Sequence, residues 1–182
     1  MWIRKTLYSV KTDLPLIAQH DQLPAGCSHL ADIRDSTADR HLYFVRNNGY
    51  LSILDVVDRQ RKDGSHLYNC GQDDFPLEFL IWFPIALEEF QKPPATGGLH
   101  AGAMTTPDME VGGEMLCVQR AIGVDQDRGG YAVVNRSRCV RGKDIEKSFT
   151  PHEVIWASRF LYEGGLLKLI IELGEKLKAG QL

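Results

Sequence analysis

The residues best suited to chemistry lie in a glycine-rich stretch, where His100 stands within the segment 97–102. A phosphate-binding P-loop has the same spacing between two glycines, but it requires Lys and then Ser or Thr directly after the second glycine. Ala103 and Met104 occupy those two positions here, and no clear strand pattern precedes the glycines. The sequence therefore does not support nucleotide binding at this loop.

His100 is nevertheless the candidate site residue of this stretch. Histidine gains and loses a proton near neutral pH and binds metal ions, so His100 would act as a general base or a ligand if the loop folded over a pocket. The alternative is a solvent-exposed histidine in a mobile loop. The other histidines lack the spacing of His-Glu-x-x-His or of another ligand set, so we predict no metal and no cofactor.

Two further patterns do not complete a site. Asp125 and Asp127 begin like a calcium-binding loop, but Gly129 takes its fifth position and Arg136 its twelfth, where a bidentate Glu is required. A polar turn explains the same residues. The chain also lacks a Gly-x-Ser-x-Gly elbow. The sequence nominates no catalytic nucleophile, which favours a protein that is not an enzyme.

A basic run at 136–147 is the second candidate site. Its positive side chains outnumber its negative ones by three, and they are Arg136, Arg138, Arg141, Lys143 and Lys147. Tyr131 and Phe149 flank the run and are able to stack on bases, which is how many proteins hold single-stranded nucleic acid. This hypothesis assigns nucleic-acid binding to Arg136, Arg138, Arg141 and Lys143. The alternative is a solvated strand face with alternating arginines.

Composition and charge narrow the class of protein. The 182 residues, 43% of them hydrophobic and 25% charged, are typical of one globular domain. The net charge of -3 provides no overall attraction to nucleic acid or to an anionic membrane, so a partner must recognise a local patch. Segment 13–39 contains five aspartates and one arginine, and segment 63–91 contains six carboxylates and no Lys or Arg. This unevenness favours electrostatic recognition or head-to-tail association.

Location and membrane association follow from two further patterns. The four cysteines are scattered without a Cys-x-x-Cys pair, and the first residues lack the apolar core of a signal peptide. The longest apolar run, 79–87, is far shorter than the ~20 residues that span a bilayer. We therefore expect reduced thiols, a cytoplasmic location and no membrane partner.

Alternation of apolar and polar residues predicts four strands. They are expected at 2–10, at 41–46, and at 115–124 and 131–140, the last two joined as a hairpin. The turn signal 47–49, Asn-Asn-Gly, closes the second strand. Segment 51–62 is ambiguous: it suits the return strand of a hairpin, but its i,i+4 charge pairs favour a helix.

Helices are expected in the middle and at the end of the chain. Segment 73–92 has Asp73 or Asp74 as a cap, Pro76 in the first turn and a narrow polar arc, with a kink at Pro84. Thr150-Pro-His-Glu153 has the pattern of a capping box and predicts a helix to residue 163. A second helix follows at 166–178, after a break at two glycines.

These elements predict a single α+β domain spanning 1–182, in which an antiparallel sheet is covered by a buried central helix and the C-terminal helices. A long Gly-rich loop at 93–110 interrupts it, and we expect the part at 93–106 to be mobile. The last helix carries an apolar stripe of Leu166, Leu169, Ile170, Leu173 and Leu177. Two preceding glycines allow this helix to swing outward, so we expect a homodimer with the stripe at or beside its two-fold axis.

Three functions remain open. A non-enzymatic binding or regulatory protein acting through protein–protein contacts is favoured, because catalytic constellations are absent from the sequence. A single-stranded nucleic-acid-binding protein using the basic 136–147 region is an alternative. A hydrolase or transferase with its site at the 97–110 loop is the third.

Overall fold

The computed structural model describes residues 8–36, 38–126, 128–143, 145 and 148–182. In these residues the chain forms two four-stranded antiparallel sheets and three α-helices. The first sheet consists of β1 (Cys27–Asp35), β2 (Arg40–Asn47), β3 (Tyr50–Gln60) and β4 (His66–Pro76). The second consists of β5 (Met109–Val111), β6 (Glu114–Ala121), β7 (Gly130–Cys139) and β8 (Pro151–Ala157). The helices are α1 (Phe79–Glu88), α2 (Ser158–Tyr162) and α3 (Leu166–Lys178).

The turn between β2 and β3 follows directly from the sequence. Asn48 and Gly49 have φ angles of 49° and 88°, which are the positive values that a type I′ hairpin turn requires. Asn47 pairs with Tyr50 across this turn. The strand predicted at 41–46 is thereby confirmed.

Segment 51–62 is not a helix, and that prediction was wrong. Residues 50–60 form β3, which pairs with β2 on one side and with β4 on the other. Pairing with a strand on each side outweighs the i,i+4 charge pairs that favoured a helix. The aspartates of those pairs bind other residues: Asp55 binds Arg40 at 2.9 Å, and Asp58 binds His66 at 2.7 Å.

The predicted helix at 73–92 begins later than expected. Asp73, Asp74 and Pro76 end β4 instead of capping the helix, because Asp74 is buried and accepts a hydrogen bond from the Ser52 hydroxyl at 2.6 Å. Helix α1 begins at Phe79 and contains Pro84; the kink predicted there stays a prediction. Six of its ten residues are buried: Phe79, Leu80, Trp82, Phe83, Ala86 and Leu87.

The capping box at 150–153 does not start a helix, and that prediction was wrong. Residues 151–157 form β8, an edge strand of the second sheet that pairs with β7. Val154 and Trp156 point inward while Ile155 is 40% exposed, which is the period of two of a half-buried strand. Helix α2 begins at Ser158 and has five residues, whereas α3 has the predicted bounds.

The hairpin predicted from 115–124 and 131–140 is confirmed as β6 and β7. Val118 pairs directly with Val133, and Leu116 lies on the same inward face. The register shifts between Asn135 and Cys139, and this irregularity changes which side of the sheet the following residues face. Arg138, expected beside Arg136 on an outer face, is buried as a result.

The main hydrophobic core contains residues from both sheets and from all three described helices. Trp156 lies at its centre, fully buried, with Phe83 edge-on at 5.4 Å between ring centroids. A smaller cluster on the other face of the first sheet contains Val45 and Leu54, and Ile17 of the N-terminal segment covers it. A single domain over 1–182 stays a prediction.

The stripe on α3 packs inside its own chain. Leu166, Ile170 and Leu173 are at most 1% exposed and belong to the main core. Gly174 approaches α1 so closely that a Cβ atom there would lie 2.7 Å from the Leu80 carbonyl oxygen. The stripe is therefore not available as a dimer seam in this structure, which corrects the expected position of the two-fold axis.

The strand predicted at 2–10 lies mostly outside the described residues, and residues 8–10 are not part of a strand. No helix in the described part of the chain is long and apolar enough to cross a membrane.

Candidate functional site

A cleft of about 300 Å³ lies where the end of α1, the glycine-rich loop and β6 meet. We call it the Arg120 cleft. Its lining includes Phe90, Lys92, Leu99, His100, Gly102 and Arg120. The structure thus places the predicted site residue His100 at a cleft, together with an arginine that the sequence analysis did not single out.

The first half of the loop is attached to the end of α1. The Leu99 amide donates to the Glu89 carbonyl at 2.8 Å, and the Gly98 amide donates to the Pro93 carbonyl at 3.0 Å. Gly98 packs so tightly that a Cβ atom there would collide with the Lys92 carbonyl oxygen. Glycine is therefore required at this position for the loop to close against the helix end.

The second half of the loop is attached to β6. The Thr106 amide donates to the Val118 carbonyl at 2.9 Å, and the Arg120 amide donates to the Met104 carbonyl at 2.8 Å. The loop is therefore carried between a helix end and a strand of the second sheet. Its predicted mobility stays a prediction.

Arg120 is held in position by neutral groups. Its guanidinium carbon lies 4.8 Å from the centroid of the Phe90 ring and 5.9 Å from that of Tyr131, within the range of a cation–π interaction. Its Nε atom donates to the Ala103 carbonyl at 3.3 Å. The side chain forms no ion pair with a carboxylate of the described residues. Arg120 is thus a positioned positive charge whose Nη groups remain available to a ligand.

The loop adds neutral donors to this charge. In the described part of the chain, the backbone N–H groups of His100, Ala101 and Gly102 have no hydrogen-bond acceptor. All three residues are exposed and line the Arg120 cleft. Lys92 also lines it, but its ammonium group pairs with Glu88 at 2.5 Å. A guanidinium with free backbone amides nearby is an arrangement that binds carboxylate or phosphate oxygens.

His100 lacks the partners of a catalytic base. Its ring forms no hydrogen bond to any side chain of the described residues, so no carboxylate orients it and no nucleophile is paired with it. No group of three His, Cys, Asp or Glu side chains among those residues is arranged to hold a metal ion. The hydrolase or transferase hypothesis for the 97–110 loop therefore gains no support from the geometry of His100.

The tertiary structure also forms a histidine–carboxylate pair that the sequence did not indicate. His152 of β8 lies 2.7 Å from Asp73 of β4, and both side chains are less than 20% exposed. A carboxylate that orients a histidine is half of a catalytic triad. No serine, threonine or cysteine of the described residues hydrogen-bonds to His152, so the pair connects the two sheets without forming a nucleophilic site.

The residues of the basic run do not form one solvent-facing row. Arg136 donates to Asp108 at 2.6 Å, and this hydrogen bond raises the pKa of Arg136. Arg138 is 2% exposed and pairs with Glu114. Arg141 and Lys143 are exposed, and Arg141 lies 3.4 Å from Asp74. Lys147 lies outside the described residues.

Burial of Arg138 changes how the nucleic-acid hypothesis is tested. Arg138→Glu would place two carboxylates together in the core, so it would unfold the protein whatever its function. If the hypothesis holds, Lys143→Glu will weaken salt-dependent retention on an oligonucleotide column, because this side chain reaches solvent, whereas Arg141 is held beside the buried Asp74. Equal retention of the Lys143→Glu variant and the parent protein would contradict nucleic-acid binding at this region.

Sequence reasoning missed Arg120 although one signal was present. The period of two along β6 places Arg120 on the same face as Leu116 and Val118. A charged residue in an apolar row is unusual, and this is the pattern that would have singled it out. Its neighbours in the cleft, Phe90 and Ala103, are distant in sequence and gave no local signal.

Comparison with known proteins does not assign this arrangement. The sequence matches no protein-family model, and no curated protein matches it. The geometry of the Arg120 cleft is therefore the basis for a functional assignment: it is a surface binding cleft with an uncompensated positive charge and no assembled catalytic group among the described residues.

Proposed function

We propose that this protein is a non-enzymatic binding protein, and that the Arg120 cleft holds a carboxylate-bearing segment of a protein partner. The observation that carries this proposal is the state of Arg120, which is fixed by Phe90 and the Ala103 carbonyl but not neutralised. A preorganised guanidinium loses little conformational entropy on binding, and it matches the geometry of a carboxylate.

The shape of the cleft supports a side chain of a partner in preference to a free small molecule. Its volume of about 300 Å³ is at the lower end for sites that enclose small molecules. Pro93, Pro94 and His100 on its rim are exposed and provide a surface for contacts around the bound side chain. Arginine is also among the residues that most often dominate the binding energy of protein interfaces.

The test is retention of a partner from an extract of the native host. Immobilised wild-type protein will retain a protein that Arg120→Glu does not, because the reversed charge repels the carboxylate. Arginines at such anchor positions typically contribute about 2 kcal/mol or more, which is roughly a thirtyfold loss of affinity. Binding will also weaken at high salt.

Arg61→Glu is the matched control for this experiment. Arg61 is an exposed arginine in the β3–β4 turn, remote from the cleft lining and without a carboxylate partner among the described residues. It undergoes the same change of charge and will retain the partner. Equal retention by Arg120→Glu and wild type, with both variants folded by circular dichroism, would refute the proposed function.

A further inference from the structure

A second groove, of about 410 Å³, lies on the outer side of α2 and α3. We call it the α3 groove. It is lined by Leu161, Tyr162, Leu167, Lys168, Ile171 and Glu172. Tyr162 and Ile171 are each 42% exposed, so apolar surface is open to water here.

The α3 groove is separate from the apolar stripe that packs inside the chain. Leu167 and Ile171 are four residues apart and therefore lie one above the other on one side of α3. Their neighbours Leu166 and Ile170 face the core and are fully buried. The helix thus carries apolar side chains beyond its buried side: Ile171 is 42% exposed, and Leu167 is only partly covered by the main core.

The charges at the rim of the groove indicate what covers it. Lys168 and Glu172 are also four residues apart, and their Nζ–Oε1 distance of 3.9 Å makes a weak exposed pair. Two copies of α3 that meet antiparallel across a two-fold axis between residues 169 and 170 bring Lys168 of each copy opposite Glu172 of the other, offset by one residue or about 1.5 Å along the helix. The same operation brings Leu167 of each copy opposite Ile171 of the other with the same small offset. Both the charges and the apolar residues are therefore self-complementary.

We propose that this protein forms a homodimer through the α3 groove, with the two α3 helices antiparallel. Each copy buries its Tyr162 and Ile171 side chains against the other, and the two Lys168–Glu172 pairs form between copies. Tyr162 also accepts a hydrogen bond from Gln91 at 2.9 Å, and Gln91 lines the Arg120 cleft. The second copy therefore borders the Arg120 cleft without using Arg120 itself.

Sedimentation velocity at micromolar concentrations tests the apolar part of the interface. Wild-type protein will sediment as a dimer, and Ile171→Asp as a monomer that is still folded by circular dichroism. Ile122→Asp is the control, because Ile122 is 82% exposed and does not line the groove; this variant remains a dimer. A monomeric wild-type protein, or a dimer that persists in Ile171→Asp, overturns the proposal.

A charge exchange tests the orientation of the two helices. The Lys168→Glu variant has two carboxylates at the rim of the groove, and the Glu172→Lys variant has two ammonium groups. In a dimer of either variant alone, like charges lie opposite each other, so the affinity between its two copies falls roughly tenfold. An equal mixture of the two variants recovers the wild-type affinity, because opposite charges then face each other in a mixed dimer. A mixture that associates no better than either variant alone overturns the antiparallel arrangement.

Discussion

Glu114→Ala is expected to lower the free energy of unfolding by about 3–5 kcal/mol, because it leaves an unpaired guanidinium in the core. Glu114 and Arg138 are 1% and 2% exposed, and Arg138 Nε lies 2.9 Å from a Glu114 oxygen. Glu114 also accepts a hydrogen bond from Asn135 at 2.6 Å. Its loss therefore leaves both a buried charge and a buried amide without their partner.

Denaturation in urea measures this effect. Glu110→Ala is the control, since Glu110 is an exposed glutamate on the neighbouring strand β5, and its stability is expected to stay within about 0.5 kcal/mol of wild type. The double substitution Glu114→Leu with Arg138→Met is expected to recover most of the loss, because it removes both charges at similar volume. Similar stability of the Glu114→Ala and Glu110→Ala variants would show that the pair is not buried in solution.

Leu173→Asp is expected to cause a second large loss of stability. Leu173 is 1% exposed in the main core, so the substitution removes a buried apolar side chain and introduces a carboxylate without a partner. Together these two effects are expected to lower the free energy of unfolding by about 5 kcal/mol or more, which corresponds to a fall in melting temperature of about 10–20 °C for a chain of this size. Thermal melting followed by circular dichroism measures it.

Ile171→Asp provides the matched control on the same helix. The side chain is 42% exposed, so the dissociated chain is expected to stay folded and to lose only the stability that the dimer contributed. The two substitutions therefore separate the side of α3 that folds the chain from the side that joins two copies. A Leu173→Asp variant that stays folded and becomes monomeric would instead place the stripe at the dimer seam.

Burial also affects the acidity of groups near the second sheet. Burial tends to raise the pKa of Asp108, but hydrogen bonds from Tyr8 and Arg136 outweigh it and lower the pKa overall. A carboxylate with a lowered pKa in the folded state stabilises the protein above its unfolded pKa, and this contribution is lost as the pH falls through the folded pKa. Asp108 and Arg136 therefore act as a structural pair rather than as part of a basic surface.

Local signals predicted the elements that need no distant partner. Asn48 and Gly49 specify the β2–β3 turn because their side chains tolerate positive φ. The helix α3 has the predicted bounds because its apolar spacing and the preceding Gly165, at φ 87°, lie within one stretch of chain. The β6–β7 hairpin likewise joins strands that are neighbours in sequence.

Tertiary pairing decided the elements whose local signals pointed elsewhere. Segment 150–153 has the pattern of a helix start, yet β8 forms there because pairing with β7 places Trp156 in the core, where it is fully buried. Segment 51–60 has helical charge spacing, yet it becomes a strand between two others. In both cases burial of apolar side chains in a sheet outweighs the local energy, which is about 1 kcal/mol for a helix cap and a few tenths of a kcal/mol for a charge pair.

The sequence likewise determined one part of the candidate site, and the tertiary structure determined the other. The sequence by itself determined that a glycine-rich loop carries His100, because glycine spacing is a local property. Only the tertiary structure placed Arg120 beside that loop and Arg138 inside the core, because the first depends on β6 meeting the end of α1 and the second on a register shift in β7. Arginines on one hairpin thus face solvent or the core according to strand register, which depends on long-range contacts.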